Sequence, residues 1–227
     1  MAKKSGSIFD IFVPIHQAGY PFIFLFALIA GLSAFFLTHW LLVITLPLTL
    51  WCIYFFRHPN RVPPHDKDCI ISPADGVIQT VAAKPLPHEL RSLAKKKTYI
   101  RISVFMNVFN VHVNRMPCDA VVIKNHYHKG KFLNASFDKA SDINERQSLW
   151  LKTKHHTHIG LVQIAGLVAR RILCDAKTAS NWQAAKPFGM IRFGSRVDVF
   201  LPANYMILVR PGQTAIGGET RLAKLKK

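Results

Sequence analysis

The sequence predicts a mainly β domain, sandwich-like or barrel-like with some helix (α+β), that follows an N-terminal hydrophobic hairpin of two helices. Three observations predict this organisation. Residues 20–56 contain no Asp, Glu, Lys or Arg, and residues 57–68 (RHPNRVPPHDKD) are rich in proline and charge. From Cys69 onward, short runs of β-branched and aromatic residues alternate with turn residues. The 227 residues therefore divide into an N-terminal segment (1–19), a membrane hairpin (20–56), a linker (57–68) and a β domain (69–227).

The uncharged run is long for one membrane helix and short for two. A helix that crosses the hydrocarbon core needs about 20 apolar residues. Thr38, His39 and Trp40 interrupt the run with polar and aromatic side chains suited to a membrane interface. We therefore expect one helix over 21–37 and a second over 41–56. Because each arm is short, a single tilted helix and a wedge in one leaflet stay open as alternatives. The run is too long for a cleaved signal peptide.

Basic residues flank the apolar run on both sides. Lys3 and Lys4 precede it, and Arg57, His58 and Arg61 follow it. The positive-inside tendency then places both ends in the cytoplasm, with the β domain on the cytoplasmic face of the inner cell membrane. The four cysteines show no close pairing or metal-type spacing, which is consistent with a reducing compartment.

The chain is strongly basic, with 30 Lys and Arg against 12 Asp and Glu and a net charge of +18. Such an excess indicates a polyanionic partner. A domain tethered to the cytoplasmic leaflet faces anionic headgroups, and each nearby Lys or Arg contributes about 1 kcal/mol of attraction. The hairpin therefore favours anionic lipid over nucleic acid as the partner.

The β domain begins with the run CIISPADGVIQTVAA, in which Asp75-Gly76 marks a turn between two strands. Further β-type runs are TYIRISVFMNVFNVHVNRMP, CDAVVIKNHYH, THIGLVQIAGLVARRILCD, SRVDVFLP and YMILVRPGQTAIGGETRLA. Helix outside the hairpin is expected only over 86–96 (LPHELRSLAKK). There is no internal repeat, so many short strands with Gly and Pro turns favour a sandwich or barrel.

Three residues of the β domain are candidates for chemistry. Ser195 follows Gly194 before an alternating strand, Asp75 lies in SPADG, and His112 lies in a β-rich run. Alternation along that run predicts that Asn110, His112 and Asn114 share one face. Each signal alone also fits an ordinary turn or an exposed strand face. No Gly-x-Ser-x-Gly motif surrounds Ser195, so an ordinary serine hydrolase is not supported.

Histidines are concentrated in HHTH, which contains His155, His156 and His158. No acidic or cysteine residue adjoins them in the sequence, so we predict no metal site.

Several longer blocks occur together and in one order between residues 55 and 202. They are FFRHPNR, SPADG, NVFNVHVNRMP, GKFLNASFDKASDINER, VQIAGLVARRI and RFGSRVDVFLP. In these blocks the chain resembles the short form of the phosphatidylserine decarboxylase proenzyme family.

The resemblance implies a self-processing enzyme. The hydroxyl of Ser195 attacks the carbonyl of Gly194 and converts the amide to an ester. β-Elimination then releases a β chain (1–194) and leaves dehydroalanine, whose hydrolysis gives a pyruvoyl group on an α chain (195–227). His112 takes the serine proton, and Asp75 orients that histidine.

The resemblance also implies the reaction of the mature enzyme, in which the pyruvoyl group forms a Schiff base with the serine headgroup and accepts the electrons released with CO2. The product is phosphatidylethanolamine, a step of phospholipid biosynthesis. The implied partners are membrane phosphatidylserine and the associated α and β chains, with no diffusible cofactor, metal or nucleic acid. The oligomeric state is left open, a homo-oligomer included.

The chain departs from the longer branch of the family in the His112 block. That branch often has His-x-x-His, and its second histidine is assigned as the base for self-cleavage. The corresponding residue here is Arg115. Either His112 takes the base role, or it serves decarboxylation while another group assists cleavage; we expect His112 to serve both steps. Arg196, Asn110, Asn114 and Arg115 are candidates for substrate binding.

Two alternatives stay open at this point. Arg196 fits a solvated residue at a strand end as well as a substrate ligand, and residues 144–146 (Asn-Glu-Arg) fit a structural ion-pair network better than a catalytic role. For the whole chain, the alternative is a non-enzymatic, membrane-tethered basic module that binds anionic lipid or nucleic acid. That alternative explains the charge and the hairpin but not the Gly194-Ser195 pair.

Overall fold

The structure, a computed structural model, describes residues 13–36, 39–94, 98–136, 143–167, 171–192 and 195–226. It divides into two compact units, Met1–Asn60 and Arg61–Lys227. The predicted break at Thr38 and the cleavage-site residue Gly194 lie outside the described residues.

The first unit contains two helices at the positions where the hairpin was predicted. A 3-10 turn (Gln17–Gly19) leads into α1 (Tyr20–Phe35), and α2 (His39–Phe55) packs against α1. Within the described residues, the helix over Gln17–Phe35 alone is long and apolar enough to cross a membrane, with a mean hydropathy of 1.9. The second apolar helix, Trp40–Phe55, is shorter. The first unit therefore supports membrane association through its apolar N-terminal helix.

The serine and threonine hydroxyl groups of these helices are satisfied within the helices themselves. Ser33, Thr45 and Thr49 each donate to the carbonyl oxygen four residues earlier, at 2.7–2.8 Å. This pairing suits helices in lipid, where water cannot satisfy a polar group. At the start of α1, a Cβ on Gly19 would lie 2.5 Å from the side chain of Phe56, so only glycine allows this approach.

The second unit is mostly β, as predicted. Its described residues form fourteen strands and one helical turn, α3 (His88–Arg91). The strands are β1 (Cys69–Ile71), β2 (Gly76–Lys84), β3 (Tyr99–Met106), β4 (Val113–Arg115), β5 (Ala120–His128), β6 (Arg146–Thr153), β7 (His158–Ala165), β8 (Ile172–Cys174), β9 (Asn181–Trp182), β10 (Pro187–Ile191), β11 (Ser195–Leu201), β12 (Tyr205–Ile207), β13 (Thr214–Ala215) and β14 (Arg221–Leu225).

The strands form one large sheet and two small ones. The eight-stranded sheet has the order β13-β2-β3-β11-β7-β6-β5-β9 and curls into a half-barrel. The small sheets have the orders β1-β14-β12 and β4-β10-β8. Strand β11 lies inside the large sheet and pairs antiparallel with β3 on one side and β7 on the other.

All seven residues of β11 are buried, although apolar and polar side chains alternate along part of it. On one face Val197 and Val199 join the main hydrophobic core. On the other face Phe200 packs in a smaller cluster with Trp150 and Leu90. A strand in the middle of a sheet covered on both sides buries both sets of side chains, whatever its alternation.

The predicted helix over 86–96 is only the single turn α3; residues 95–97 lie outside the described part of the chain.

The turn α3 carries Glu89, which forms a buried ion pair with Arg146. The carboxylate of Glu89 accepts hydrogen bonds from Nε and Nη2 of Arg146 at 2.8 and 2.9 Å. It also accepts one from the hydroxyl of Ser148 at 2.7 Å. Burial alone would raise the pKa of Glu89, but the hydrogen bonds from Arg146 and Ser148 outweigh it and lower this pKa to about 2.

We predict that Glu89→Gln lowers the free energy of unfolding of the second unit by about 3 kcal/mol, because Arg146 stays buried without a counter-charge. Chemical denaturation of the full chain measures this. Since the folded state depresses the pKa of Glu89, its stabilisation is complete above about pH 5 and is lost as the pH falls toward 2. The difference between wild type and variant should close over that range.

The control for this prediction is Glu219→Gln, because Glu219 accepts a backbone N–H from Val62 in an exposed contact. This change should cost less than about 1 kcal/mol. An equal loss in both variants would contradict the role of the Glu89–Arg146 pair.

Candidate active site

Ser195 is the first residue of β11 and lies where three central strands end together. Its direct partners are Met106, the last residue of β3, and Ala165, the last residue of β7. The serine is fully buried, and its Oγ has no hydrogen-bond partner among the described residues. Leaving a buried hydroxyl unpaired costs about 1–3 kcal/mol, which makes Ser195 a functional candidate.

The sheet β4-β10-β8 brings His112 alongside the chain that leads to Ser195. Met190 of β10 pairs with Val113 of β4, and the N–H of Ile191 donates to the carbonyl oxygen of His112 at 3.4 Å. The backbone of His112 thus lies beside a residue only four positions before Ser195.

The imidazole of His112 is buried and held in one tautomer. Its Nδ1 lies 2.9 Å from the carbonyl oxygen of Asn110. A carbonyl oxygen only accepts, so Nδ1 carries the proton and the neutral ring has its lone pair on Nε2. This is the form in which a histidine acts as a base.

The predicted stripe of Asn110, His112 and Asn114 on one strand is wrong, because β4 begins at Val113 and only Asn114 lies on it. Asn110 ends a turn: its Oδ1 accepts the N–H of Asn107, and Oδ1 of Asn107 accepts the N–H of Phe109, both at 2.9 Å. Asparagine side chains that bond the nearby backbone favour turns over strands, so the β-rich run breaks here.

Asp75 lies between β1 and β2. Its Oδ2 receives Nη2 of Arg61 at 2.7 Å, and its Oδ1 receives the N–H of Gly217 at 2.7 Å. The next residue, Gly76, packs against β3 so closely that a Cβ would lie 2.1 Å from the carbonyl oxygen of Phe105. The glycine therefore fixes where the Asp75 carboxylate can stand.

Arg115 links the Asp75 loop to the His112 segment. Its N–H donates to the carbonyl oxygen of Pro73 at 2.8 Å, and its guanidinium donates to that of Ala185 at 2.9 Å. Burial lowers the pKa of Arg115, nearby Arg61 lowers it further, and Asp75 opposes both. The two segments that carry Asp75 and His112 are therefore neighbours in the fold.

A buried pair of carboxamides lies over the start of β11. Nε2 of Gln163 donates to Oδ1 of Asn114 at 2.8 Å and to the carbonyl oxygen of Leu173 at 3.4 Å. Because that carbonyl only accepts, it fixes which end of the glutamine amide is nitrogen. The donor end of Asn114 then points at Sδ of Met106, 3.6 Å away.

Strand register shows what this pair covers. Gln163 on β7 is opposite Val197, Met106 on β3 is opposite Ser195, and β11 lies between β7 and β3. Directly opposed residues of a sheet share a face, so Gln163 and Met106 both lie on the face that carries Ser195. Asn114 contacts both of these side chains and therefore lies over that face. A thioether is a weak acceptor, so a strong buried donor is available beside the serine.

Sequence reasoning missed Gln163, although one signal could have identified it. The residue is a lone amide in the apolar run LVQIA, and it is fully buried. Its Oε1 has no hydrogen-bond partner among the described residues.

Arg196 lies on the opposite face of the sheet from Ser195, because the two are adjacent on one strand. Its Nε lies 2.9 Å from Oδ1 of Asp198, and Nη1 donates to the carbonyl oxygen of Ala135 at 3.0 Å. With 1% of its surface exposed, it is not the solvated strand-end residue that one interpretation proposed.

The segment 144–146 is structural, but not as an ion-pair network within itself. Oδ1 of Asn144 accepts the N–H of Leu133 at 3.0 Å, and Nδ2 donates to the carbonyl oxygens of Leu133 and Ala165 at 2.7 and 2.8 Å. Asn144 thus ties the loop 131–136 to the strand partner of Ser195, while Arg146 pairs with Glu89.

The arrangement can support attack by a serine hydroxyl on a carbonyl within the chain. A histidine in the basic tautomer and a buried amide donor lie on the segments around it. Because Ser195 is inaccessible to solvent, its target in this state belongs to the protein itself. Within the described ranges, no group of three His, Cys, Asp or Glu residues could hold a metal ion.

Known proteins with similar sequences share one description. The sequence model of the phosphatidylserine decarboxylase family matches residues 48–223. The phosphatidylserine decarboxylase proenzyme of Rickettsia bellii (strain OSU 85-389) is 51% identical over 214 residues, and that of Rickettsia akari (strain Hartford) is 50% identical over 214 residues. Each alignment covers 94% of this chain and 91% of the relative.

We predict that Gln163→Leu lowers the free energy of unfolding by about 1–3 kcal/mol, because it leaves the buried oxygen of Asn114 without a donor. Chemical denaturation of the full chain measures the loss. Gln213→Leu is the control, since the side chain of Gln213 makes an exposed bond to the N–H of Arg210 and its loss should change stability by no more than about 0.5 kcal/mol. Equal effects would contradict the role given to the buried amide pair.

Proposed function

The chain belongs to the phosphatidylserine decarboxylase family, and we propose that it is a phosphatidylserine decarboxylase that makes its own catalytic group from Ser195. Its reaction converts phosphatidylserine to phosphatidylethanolamine and CO2. Family membership and identity of about 50% to relatives named as proenzymes support this function over a non-enzymatic basic module. The observation that carries the proposal is the buried hydroxyl of Ser195, directly after Gly194, which has no hydrogen-bond partner among the described residues.

In the proposed cleavage, Oγ of Ser195 bonds to the carbonyl carbon of Gly194 while the C–N bond between the two residues breaks. A base then removes the Cα proton of residue 195 as the Cβ–Oγ bond of the ester breaks, so that Gly194 leaves as a carboxylate that retains the oxygen and residue 195 becomes dehydroalanine. Water then replaces the nitrogen of residue 195, which departs as ammonia. The products are a chain of residues 1–194 and a chain of residues 195–227 that begins with a pyruvoyl group.

His112 is the proposed acceptor of the serine proton, through Nε2. The carbonyl of Asn110 holds the other ring nitrogen, which keeps the ring in the basic tautomer. We assign Asp75 to the electrostatic support of His112 through the neighbouring segments that Arg115 and Pro73 connect. The donor end of Asn114, which points at Met106 opposite Ser195, is the proposed donor to the carbonyl oxygen of Gly194, on which negative charge develops during the attack.

A pyruvoyl group at position 195 supplies the electron sink that decarboxylation of an amino-acid headgroup requires. The residues around position 195 fit such a group, because they exclude water and leave the position free of competing hydrogen bonds in the described part of the chain. We also assign to His112 the return of a proton after CO2 leaves, so that one histidine serves both steps. Asn114 is the proposed ligand for the headgroup carboxylate.

Arg115, Asn110 and Arg196 are less direct in this proposal. Arg115 and Arg196 are held by backbone carbonyls and carboxylates, and Asn110 shapes the turn that orients His112. We therefore assign these three residues to positioning.

The two product chains have a reason to stay associated. The chain 195–227 begins with β11, which pairs with β3 and β7, and it also contributes β13 to β2 and β14 to β1. All four partner strands belong to 1–194. Its release would break backbone pairing in two sheets, so we propose that the mature enzyme is a complex of both chains at the cytoplasmic face of the inner membrane.

We predict that Ser195→Ala remains one uncut chain without decarboxylase activity, whereas wild type yields two pieces. Intact-mass spectrometry of the variant and of wild type measures cleavage, and release of CO2 from phosphatidylserine measures activity. The small piece of wild type should carry pyruvoyl in place of serine. Ser103→Ala is the matched control, since Ser103 is a second fully buried serine whose hydroxyl has no partner among the described residues, opposite Asp198. It should be cut normally; cleavage of Ser195→Ala would refute the proposal.

We further predict that His112→Ala and Asp75→Ala slow self-cleavage at least about 100-fold, the range for loss of a positioned acid–base group. A time course of chain separation on denaturing gels measures this. His126→Ala and Asp66→Ala are the controls. Asp66 matches Asp75 because its carboxylate also binds one cation (Lys224) and one backbone N–H. If His112→Ala and Asp75→Ala mature at the control rates, the two assignments are wrong.

A further inference from the structure

Four large apolar side chains are exposed around the end of the sheet where Ser195 lies. Phe109 and Leu167 are 61% and 66% exposed, and Leu133 and Ile143 are 38% exposed. We call these four residues the apolar rim. Exposed apolar side chains that cluster at one place indicate an interaction surface.

The strand pairing brings the rim to one place. Phe109 follows the end of β3 by three residues, and Leu167 follows the end of β7 by two. Both strands end at residues paired with Ser195. Leu133 and Ile143 join them through Asn144, which adjoins Ile143 and bonds Leu133 and Ala165.

The turn that carries Phe109 is ordered by its own hydrogen bonds. Asn107 and Asn110 bond the backbone of residues 107–109 through their side chains. Local bonds of this kind fix the direction of the turn, so Phe109 is displayed at a defined tip and does not fold back into the core. The exposure is therefore a feature of the turn itself.

Cations surround the rim. Lys129, Lys131 and Arg171 are exposed, and Arg192 is half-buried with its N–H bonded to the carbonyl oxygen of Arg171 at 3.4 Å. Burial lowers the pKa of Arg192, and the charge of Arg171 lowers it further. Among the described residues of the loops at this end (107–110, 129–136, 143–145, 166–167, 171 and 192), Glu145 is the only carboxylate, and it is buried.

We propose that the apolar rim is the surface through which the unit Arg61–Lys227 inserts into an anionic phospholipid bilayer. Phe and Leu side chains at exposed tips enter the boundary between headgroups and acyl chains, and Lys and Arg beside them bind the anionic headgroups. The proposal rests on the proposed function, because it takes position 195 as the point where the lipid reacts. A lipid that enters between the rim residues reaches that position with its acyl chains still in the membrane.

The test compares one substrate in two physical states. The double variant Phe109→Ser/Leu167→Ser, as full-length chain, receives phosphatidylserine in vesicles that also contain phosphatidylglycerol, or short-chain phosphatidylserine as monomers in detergent. We expect the rate on vesicles to fall about 10-fold or more, because the variant lacks two apolar side chains that wild type would bury in the bilayer. The rate on monomers should stay within about 2-fold, and self-cleavage should be complete.

The matched control is Val62→Ser/Met206→Ser, which removes two exposed apolar side chains elsewhere on the same unit. It should leave both rates unchanged. The proposal is overturned if the rim variant loses both rates equally, loses neither, or behaves as the control does. Failure of wild type to decarboxylate phosphatidylserine in either state would instead overturn the proposed function.

A second measurement tests the rim without reference to activity. Amide hydrogen exchange at 107–110 and 166–167 should slow when the full-length chain is transferred from neutral nanodiscs to nanodiscs that contain phosphatidylglycerol. Lys131→Glu/Arg171→Glu should abolish that difference. Exchange that is the same in both lipids would show that this end of the sheet does not dock on an anionic bilayer.

Discussion

The pairing of β11 with β3 on one side and β7 on the other is the constraint on which the site depends. It places Ser195 at the buried end of three central strands and makes Met106 and Ala165 its direct neighbours. Alternation along the same strand directs Ser195 toward the main core and Arg196 toward the opposite face. Every other group of the site is positioned relative to this strand: the carboxamide pair bridges over it, and Asn144 bonds the last carbonyl of β7.

Two buried polar atoms without partners lie on that face, Oγ of Ser195 and Oε1 of Gln163, within the described residues. Each such atom costs about 1–3 kcal/mol, a sizeable part of the 5–15 kcal/mol by which domains are stable. The apolar core on both sides of β11 provides the stability that offsets this cost. A fold retains groups of this kind where function requires them.

The sequence was enough for the fold class and for the family, but not for the geometry of the site. The uncharged run and the alternating strands predicted the helices and the β unit because both depend on local hydrophobic pattern. The pattern could not show that Arg196 is buried, since burial of both faces of β11 results from helix α3 and loop 131–136, which are distant in sequence. It also missed the turn at Asn110 and the role of Gln163, because both depend on hydrogen bonds that sequence spacing does not encode.

The site has two requirements that conflict in an ordinary enzyme: water must be excluded from position 195, yet a lipid must reach it. The precursor meets the first requirement, since Ser195 is fully buried. The proposed cleavage between residues 194 and 195 would meet the second without rearranging the sheet, because β11 would keep its pairing with β3 and β7 while its first residue became a chain end. That end lies among the loops that carry Phe109 and Leu167. In the proposed mechanism, the bond cleavage that creates the reactive group therefore also leaves that group at a chain end beside the apolar rim.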